Sequence, residues 1–212
     1  MRRMRLALIG MTLSLAGCAG LLHSTAPALQ LYVLPAPPSP AAVPAAMSAG
    51  PTLRVARPLP GPGLNTDRIA LLRPGNRLDY YAGSRWSAPL ADVVGDLQLA
   101  VLHADPAWSA VVDERSALNT DYVLQTSIDR FAAEYPTGAG PPQVWVRLQC
   151  LLIRRADGAV LGSFAVQTSH PALENHMASV IAAFSAAAGE AVVAAMAQSD
   201  QLLRSGKSPA VP

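Results

Sequence analysis

The segment from residue 144 to 152 constrains the fold of this chain more than any other. Its apolar residues occupy every second position: Val144, Val146, Leu148, Cys150 and Leu152. Successive side chains of a β-strand point to opposite faces of a sheet, so this alternation predicts a strand with one buried and one wetter face. The chain must therefore supply a layer that covers the strand on one side.

The turn after this strand decides how the strand pairs. Asp157-Gly158 is a hairpin signal. A two-residue loop would set Leu151 opposite Phe164 and divide the apolar residues of the two strands between opposite faces. A three-residue loop, residues 156–158 with the glycine left-handed, sets Cys150 opposite Phe164, and it also sets Leu148 opposite Val166. A slip of one residue reverses every side chain, so the sequence favours the three-residue loop.

A first helix is predicted from residue 90 to about 103, because apolar residues recur there at helical spacing. Ser87 is the expected N-cap, and Pro89 falls early in the helix, where its missing N–H costs little. Asp92 and Asp96 lie four residues apart, opposite the apolar stripe. Such a pair is typical of a solvated helix face.

A second helix is predicted from residue 173 to about 203, since its apolar residues recur at spacings of three and four. It should begin near Pro171 and fray at Gly189. Both helices have one apolar stripe, so each is expected to lie on a sheet.

Short apolar runs predict further strands, for a total of six or seven. The first, at residues 29–34, is expected to be buried on both faces, and others fall at 52–56, 78–81, 109–112 and 121–131. The order strands, helix, strands, helix predicts an α+β fold: one mixed, mainly antiparallel β-sheet with two main helices packed on one face. The other face must then meet solvent, a partner or a second copy of the chain.

The N-terminus has the layout of a secretory signal peptide over residues 1–17. Three arginines precede an uncharged stretch of about 11 residues, too short to cross a bilayer, and small residues follow. Leu15-Ala16-Gly17-Cys18 resembles the lipobox of bacterial lipoproteins, which implies lipidation of Cys18. Because Ala19 rather than aspartate follows, we expect the periplasmic face of the outer membrane. An ordinary signal peptide with a free thiol at Cys18 is the alternative.

The mature chain is expected to contain a lipid-anchored tether (18–28), a single domain (29–203) and a flexible tail (204–212). Within the domain, residues 35–51 form a loop rich in proline and alanine. Prolines at this density favour an exposed, extended linker. The same loop could bind a partner, although a linker needs no such role.

Charge and cysteine content exclude several classes of protein. The chain has 16 Lys and Arg against 14 Asp and Glu. Three of these arginines belong to the signal peptide, which has no acid, so 13 basic residues remain against 14 acidic ones. Without a basic excess we expect no nucleic-acid partner. Once Cys18 is lipidated, Cys150 has no partner for a disulfide.

The sequence predicts no catalytic, cofactor or metal site. It has no Gly-x-Ser-x-Gly elbow, no P-loop and no His-Glu-x-x-His pair. His170 and His176 lie six residues apart with only Glu174 at ligand spacing, which is a poor metal signal. Cys150 falls on the apolar side of its strand, where a core thiol is expected rather than a nucleophile.

Aromatic residues give the best candidates for contact with a partner. Trp145 is out of phase with the apolar side of its strand and is therefore expected to be exposed. Tyr80 and Tyr81 are weaker candidates of the same kind. Trp86 is expected to be a core residue that plugs the space between helix and sheet.

Several segments, taken in order, resemble the ABC-type transport auxiliary lipoprotein family. They are Tyr32-Val33-Leu34, Leu53-Arg54-Val55, residues 64–69, Tyr80-Tyr81, Trp86 with Pro89 before a helix, and Asp121-Tyr122-Val123-Leu124. The resemblance spans roughly residues 29–200, and the proline-rich insert departs from it. It implies a non-enzymatic accessory role in lipid transport between the inner and outer membranes, with an ATPase, a permease and a periplasmic mammalian-cell-entry (MCE) domain protein as partners.

The predicted function is accordingly to dock the periplasmic MCE assembly at the outer membrane, with homo-oligomerisation as a further possibility. Three alternatives stay open. The protein could carry a lipid in its own apolar groove, it could be a periplasmic hydrolase, or it could be a structural module of the envelope. An enclosed apolar cavity would favour the first, and a cleft with converging polar groups and shifted pKa values would favour the second.

Overall fold

The computed structural model describes residues 28–37, 50–137 and 139–206. These residues form an α+β fold of nine strands and two helices. The strands are Gln30–Tyr32 (β1), Thr52–Val55 (β2), Leu59–Pro60 (β3), Arg68–Arg73 (β4), Arg77–Trp86 (β5), Ala110–Val112 (β6), Tyr122–Glu134 (β7), Gln143–Arg154 (β8) and Val160–Pro171 (β9). The helices are Leu90–Leu102 (α1) and Met177–Gly206 (α2). The expected signal peptide, Cys18, nearly all of the tether and most of the proline-rich loop lie outside the described residues.

Strand β7 organises the sheet. Along one edge it pairs antiparallel with β8, from Tyr122 opposite Arg154 to Glu134 opposite Gln143, and β9 pairs with the far edge of β8. Along its other edge it pairs in turn with β2, β3 and β4, all parallel. Strand β6 extends the sheet beyond β2, while β5 and then β1 extend it beyond β4. The long pairings are antiparallel and the parallel ones are short, which confirms the predicted sheet.

Both helices cover the same face of this sheet. Helix α2 packs on β8 and β9, and α1 packs against α2 and the strands β2, β3 and β6. The alternating apolar residues of β8 point at the helices and are at most 1% exposed: Val144, Val146, Leu148, Cys150 and Leu152. By length and composition α2 could cross a membrane, but half of its apolar stretch is buried in the fold. We call the two sides the helix-covered face and the helix-free face.

Three aromatic rings fill the centre of the helix-covered side. Trp86 is 1% exposed and contacts Phe131 and Phe184 edge-on, with ring centroids 5.9 and 5.2 Å away. Phe131 and Phe184 stack on each other at 5.2 Å. The cluster joins β5, β7 and α2, and it confirms Trp86 as a core residue.

The β8–β9 hairpin has the predicted register. Cys150 lies opposite Phe164 and Leu148 opposite Val166. The loop itself differs from the prediction. Ile153 pairs with Val160, and the N–H of Arg154 donates to the carbonyl of Ala159, so the turn spans the four residues 155–158, with Gly158 at φ +71°. A register shift between Leu152 and Ile153 restores the predicted pairing, so the alternation of apolar residues predicted the strand register but not the turn.

The first strand is not buried, contrary to the prediction. β1 pairs only with β5, so it is an edge strand, and Leu31 is 63% exposed. The count of six or seven strands is also too low. Strands β3 and β4 were not predicted. Pro60 occupies β3, where proline is tolerated because the strand is two residues long and pairs only with β7. Strand β4 holds a continuous apolar run without alternation.

Ser87 does not cap α1. The N-cap residue is Pro89, and it makes no side-chain capping hydrogen bond. Instead, the N–H of Ser87 donates to the carbonyl of Tyr32, and the N–H of Leu90 donates to the carbonyl of Thr66. The carbonyl of Thr66, in the loop before β4, thus accepts from the first helical N–H in place of a side-chain cap.

Both ends of α2 differ from the prediction. The helix begins at Met177 because β9 continues to Pro171 beside β8, which leaves Leu173 87% exposed before the helix. Gly189 does not mark a frayed point, since it is buried within a continuous helix. The helix runs to Gly206, so the first residues of the expected tail are helical.

Candidate functional site: the helix-free face of the sheet

A row of four residues crosses the helix-free face. Tyr80 on β5 lies opposite Ala70 on β4, and Ala132 on β7 lies opposite Trp145 on β8. The two alanines are next to each other, since each comes one position before the paired residues Leu71 and Ala133. Neighbouring strands are about 4.8 Å apart, so Tyr80 and Trp145 are separated by three strand spacings, about 14 Å. We call this row the aromatic row.

Trp145 is half-buried, and the guanidinium of Arg130 lies over its ring. The guanidinium carbon of Arg130 lies 4.9 Å from the ring centroid. Arg130 in turn donates to the carboxylate of Glu134 at 2.5 Å. A cation over an indole ring is attracted by the ring quadrupole. The ring is therefore fixed in position while part of it stays accessible.

Tyr80 is arranged in the same way. The guanidinium carbon of Arg68 lies 3.8 Å from its ring centroid, and its hydroxyl donates to the carbonyl of Gly63 at 2.8 Å. Beneath the row, Ala70 and Ala132 are each 3% exposed. The aromatic row is thus two arginine-stacked rings on either side of two small residues.

Tyr81 lies apart from this row. It points to the helix-covered face, where its hydroxyl donates to the Tyr135 hydroxyl at 3.1 Å. The Tyr135 hydroxyl donates in turn to Asn175 Oδ1 at 2.9 Å. Burial, together with the hydrogen bond to Tyr135, raises the pKa of Tyr81 well above its usual value. The structure brings Tyr80 and Trp145 to one surface but not Tyr81.

The clefts of the described residues are lined by ion-paired side chains. In a cleft of about 430 Å³ between α1 and the loop after β6, Arg57 binds Asp92 at 2.7 Å and Arg115 binds Asp113 at 2.8 Å. The hydrogen bonds from these arginines lower the pKa of both carboxyls. Acids held ionised in this way are poor proton donors. Asp92 thus belongs to an ion pair rather than simply facing solvent.

The thiol of Cys150 is buried in the core, and the imidazoles of His170 and His176 each contact a glutamate. Cys150 is fully buried, and burial raises the pKa of its thiol to about 11. His170 contacts Glu190 at 2.7 Å, and His176 contacts Glu174 at 2.9 Å. Within residues 28–37, 50–137 and 139–206, no three His, Cys, Asp or Glu side chains converge as a metal site would need.

Sequence reasoning missed Arg68 and Arg130, which order the two rings. Arg130 follows a β-bulge between Ile128 and Arg130, and this irregularity moves it to the helix-free face. Arg68 reaches Tyr80 across a similar irregularity in the β4–β5 pairing. The alternation of residues within each strand could not predict the Arg130–Trp145 or the Arg68–Tyr80 contact, because a bulge changes the face on which the following residues lie.

The fold and the candidate surface define an α+β domain with one open sheet, helices on one face and an aromatic surface on the other. The family described as ABC-type transport auxiliary lipoprotein component matches residues 32–197, and the chain belongs to this family. That agrees with the resemblance in the sequence. No curated protein matches the sequence.

Two solved structures share the fold at low identity, and a third is a weaker likeness. Protein XCC0632 from Xanthomonas campestris superposes with a TM-score of 0.73 at 22% identity, covering 84% of this chain and 98% of that one. A second crystal structure, of an uncharacterized protein, gives 0.64 at 13% identity over 81% and 99% of the two chains. The PelC dodecamer from Paraburkholderia phytofirmans gives 0.39 at 19% identity over 71% and 88%. The first two likenesses show the fold alone.

Proposed function

We propose that this protein is a non-enzymatic auxiliary lipoprotein of an ABC-driven, MCE-type intermembrane lipid transport system. In this proposal it is anchored through Cys18 at the periplasmic face of the outer membrane. There it docks the periplasmic MCE-domain protein, and through that protein the permease and the ATPase. Family membership supports the transport role, and the aromatic row is the observation that carries the docking role.

The aromatic row has the physical properties of a docking surface. Tryptophan and tyrosine contribute more binding free energy per residue than other side chains at interfaces. Stacking by Arg130 and Arg68 orders the two rings before a partner arrives, so less side-chain entropy is lost on binding. The two alanines between them are 3% exposed, so a partner would contact the rings and their arginines rather than the alanines.

The mechanism is positional. Three acyl chains on Cys18 would hold the protein at the membrane, because one chain binds only marginally and each buried methylene adds about 0.8 kcal/mol. A tether of about 10 residues reaches at most about 35 Å. The domain would therefore present its docking surface close to the outer membrane, while the distant ATPase supplies the energy.

Carriage of lipid by the domain itself would need an enclosed apolar cavity. The cleft between α1 and the loop after β6 is bordered by charged side chains, and so is the cleft beside Arg154 and Arg155. Docking is therefore the better supported of the two roles.

An affinity pull-down from detergent-solubilised envelopes tests the proposal. Lipidated wild-type protein is compared with Cys18→Ala, with Trp145→Ala and with Val160→Ala, a control for an exposed apolar residue far from the aromatic row. Mass spectrometry then identifies both proteins and lipids. We expect wild type and Val160→Ala to recover an MCE-domain protein with little lipid, and Trp145→Ala to recover roughly tenfold less, as expected for a residue contributing about 1.4 kcal/mol.

Two outcomes would contradict the proposal. Stoichiometric lipid without any transporter subunit would indicate a lipid carrier. Equal recovery of the MCE-domain protein by Trp145→Ala and Val160→Ala would show that the aromatic row is not the docking surface.

A further inference from the structure

Three segments that contain proline lie together at one end of the sheet. They are the β4–β5 turn with Pro74, the loop between β7 and β8 with Pro136, Pro141 and Pro142, and the end of β9 with Pro171. Strand register brings them together, since Leu72 pairs with Glu134, Glu134 with Gln143, and Gln143 with Pro171. The segments surround one cleft of about 490 Å³. We call this the proline end, and the opposite end, which carries the Asp157-Gly158 turn, the hairpin end.

The two ends differ in chemistry. At the proline end Leu173 is 87% exposed, the most exposed of the large apolar side chains in the described residues. Prolines have no N–H, so their backbone presents fewer donors that must be desolvated when an apolar surface approaches. The hairpin end carries Arg154, Arg155 and Asp157, and Arg154 is ion-paired with Asp157 at 2.8 Å.

The charged side chains at the proline end are mostly paired, and one arginine is left exposed. Glu174, which follows Leu173, contacts His176 at 2.9 Å. Arg73 is paired with Asp79 at 3.2 Å. Arg77, beside the β4–β5 turn, is exposed. An exposed arginine next to exposed apolar groups is the arrangement with which proteins contact lipid headgroups and the outer part of the acyl layer.

The direction of the chain selects this end. Strand β1 runs parallel to β5, with Gln30 beside Ser84 and Tyr32 beside Trp86. The start of β1 is therefore the end of that strand nearer to Arg77 and the proline end. Arg85 lies opposite Arg68 and Arg77 lies opposite Arg73, so this stretch of β5 spans five residues of β4, about 17 Å. Cys18 precedes Gln30 by twelve residues, which span at most about 43 Å. The lipid anchor can therefore lie beyond the proline end.

We infer that the proline end faces the membrane, with Leu173 and the β4–β5 turn in contact with the phospholipid surface that holds the acylated Cys18. This inference rests on the lipid anchor in the proposed function and adds an orientation to it. The aromatic row then faces sideways, parallel to the membrane plane. The hairpin end points into the periplasm.

Distance-dependent fluorescence quenching tests this orientation. The lipidated protein is reconstituted in nanodiscs of phosphatidylethanolamine and phosphatidylglycerol that contain a headgroup quencher. A charged dye is attached to single cysteines introduced by Leu173→Cys and Thr137→Cys at the proline end. Val160→Cys at the hairpin end, where Val160 is 55% exposed, is the matched control. Native Cys150 is fully buried and does not compete for the dye.

We expect the dyes at positions 173 and 137 to be quenched several-fold more than the dye at 160. Equal quenching at all three positions, stronger quenching at 160, or an excess at 173 without one at 137 would overturn the orientation. Intact-mass measurement of acylation at Cys18 separates the two proposals. An unacylated Cys18 would refute the anchor itself, whereas an acylated protein with the wrong quenching pattern would refute only the orientation.

Discussion

The two faces of the sheet are built from the same strands but follow different rules. On the helix-covered face, apolar side chains alternate regularly and are almost completely buried, as in Leu148 and Cys150. On the helix-free face, the intervening positions hold Trp145, Arg147 and polar residues that are only partly covered. Packing against the helices thus requires apolar residues on the helix-covered face. The residues of the helix-free face are not constrained in this way and are available for contacts outside the domain. Substitutions on the two faces should therefore have very different effects on stability.

The largest contrast is expected between two tryptophan truncations. Trp86→Ala removes the buried ring that contacts Phe131 and Phe184, and should lower the free energy of unfolding by about 3–5 kcal/mol. Trp145→Ala on the other face should cost about 1 kcal/mol or less, close to the value of a partly exposed cation–π contact. Urea denaturation of the mature chain measures both. Similar losses for the two variants would show that the helix-free face is also part of the core.

A smaller contrast is expected within β8. Cys150→Ser places a hydroxyl in a fully buried site where Thr126 Oγ1, 3.8 Å from the thiol sulfur, is its polar neighbour. Incomplete hydrogen bonding should cost about 1–3 kcal/mol. The control is Gln149→Ala on the opposite face, which loses a solvent-exposed hydrogen bond to Ser163 and should cost about 0.5 kcal/mol. Thermal unfolding of both variants decides the point, and a larger loss for Gln149→Ala would contradict it.

Asp200 on α2 is a partly buried acid, and its ionisation is expected to lower the stability of the fold. Burial, together with the neighbouring carboxyl of Asp105, raises the pKa of Asp200 to about 6. Between about pH 4 and pH 6 the Asp200 carboxyl is therefore protonated in the folded chain but ionised in the unfolded chain, where its pKa is lower. Stability therefore falls as the pH rises from about 4 through about 6.

Asp200→Asn should remove this pH dependence and add about 1 kcal/mol of stability at pH 7.5. A two-unit shift corresponds to about 2.7 kcal/mol, and partial exposure of the side chain reduces it. Chemical denaturation at pH 5 and 7.5, with Asp96→Asn on the exposed side of α1 as control, measures the difference. An unchanged slope between the two pH values would contradict the assignment.

The smallest effect is expected for Tyr80→Phe. This change removes the hydroxyl that donates to the Gly63 carbonyl but keeps the ring under Arg68. Stability should fall by about 0.5 kcal/mol, the value of a solvent-accessible hydrogen bond. Binding of the MCE-domain protein in the pull-down should be retained, because the ring persists. Loss of binding would assign the docking contact to the hydroxyl instead.

The sequence was most informative where one physical effect dominated. The β8–β9 register followed from the alternation of apolar residues such as Cys150 and Phe164, and α1 followed from its apolar stripe. The start of α2 could not be predicted, because the pairing of β9 with β8 extends that strand through Pro171. A long-range ladder there overrides the local helical pattern.

The candidate site was predicted only in part, and its contact role remains a prediction. The phase of Trp145 in its strand predicted an exposed ring on the face away from the helices, whereas the structure makes the ring half-buried on that face. The pairing of Trp145 with Arg130 and of Tyr80 with Arg68 depends on β-bulges and on contacts between strands. Such contacts are set by tertiary structure and leave no local pattern.

The shared edge of β7 has a consequence for the order of folding. Leu53 pairs with Tyr122, and Leu59 pairs with Ser127, so β2 and β3 wait for partners that are synthesised almost seventy residues later. Strand β4 likewise needs the end of β7 at Ala133. Long-range pairing of this kind slows folding, because the entropy of closing large loops is lost before the contacts form. A nascent chain that ends before residue 122 would contain β2, β3 and β4 without β7, the strand with which they pair. Such a chain would depend on chaperones to stay soluble.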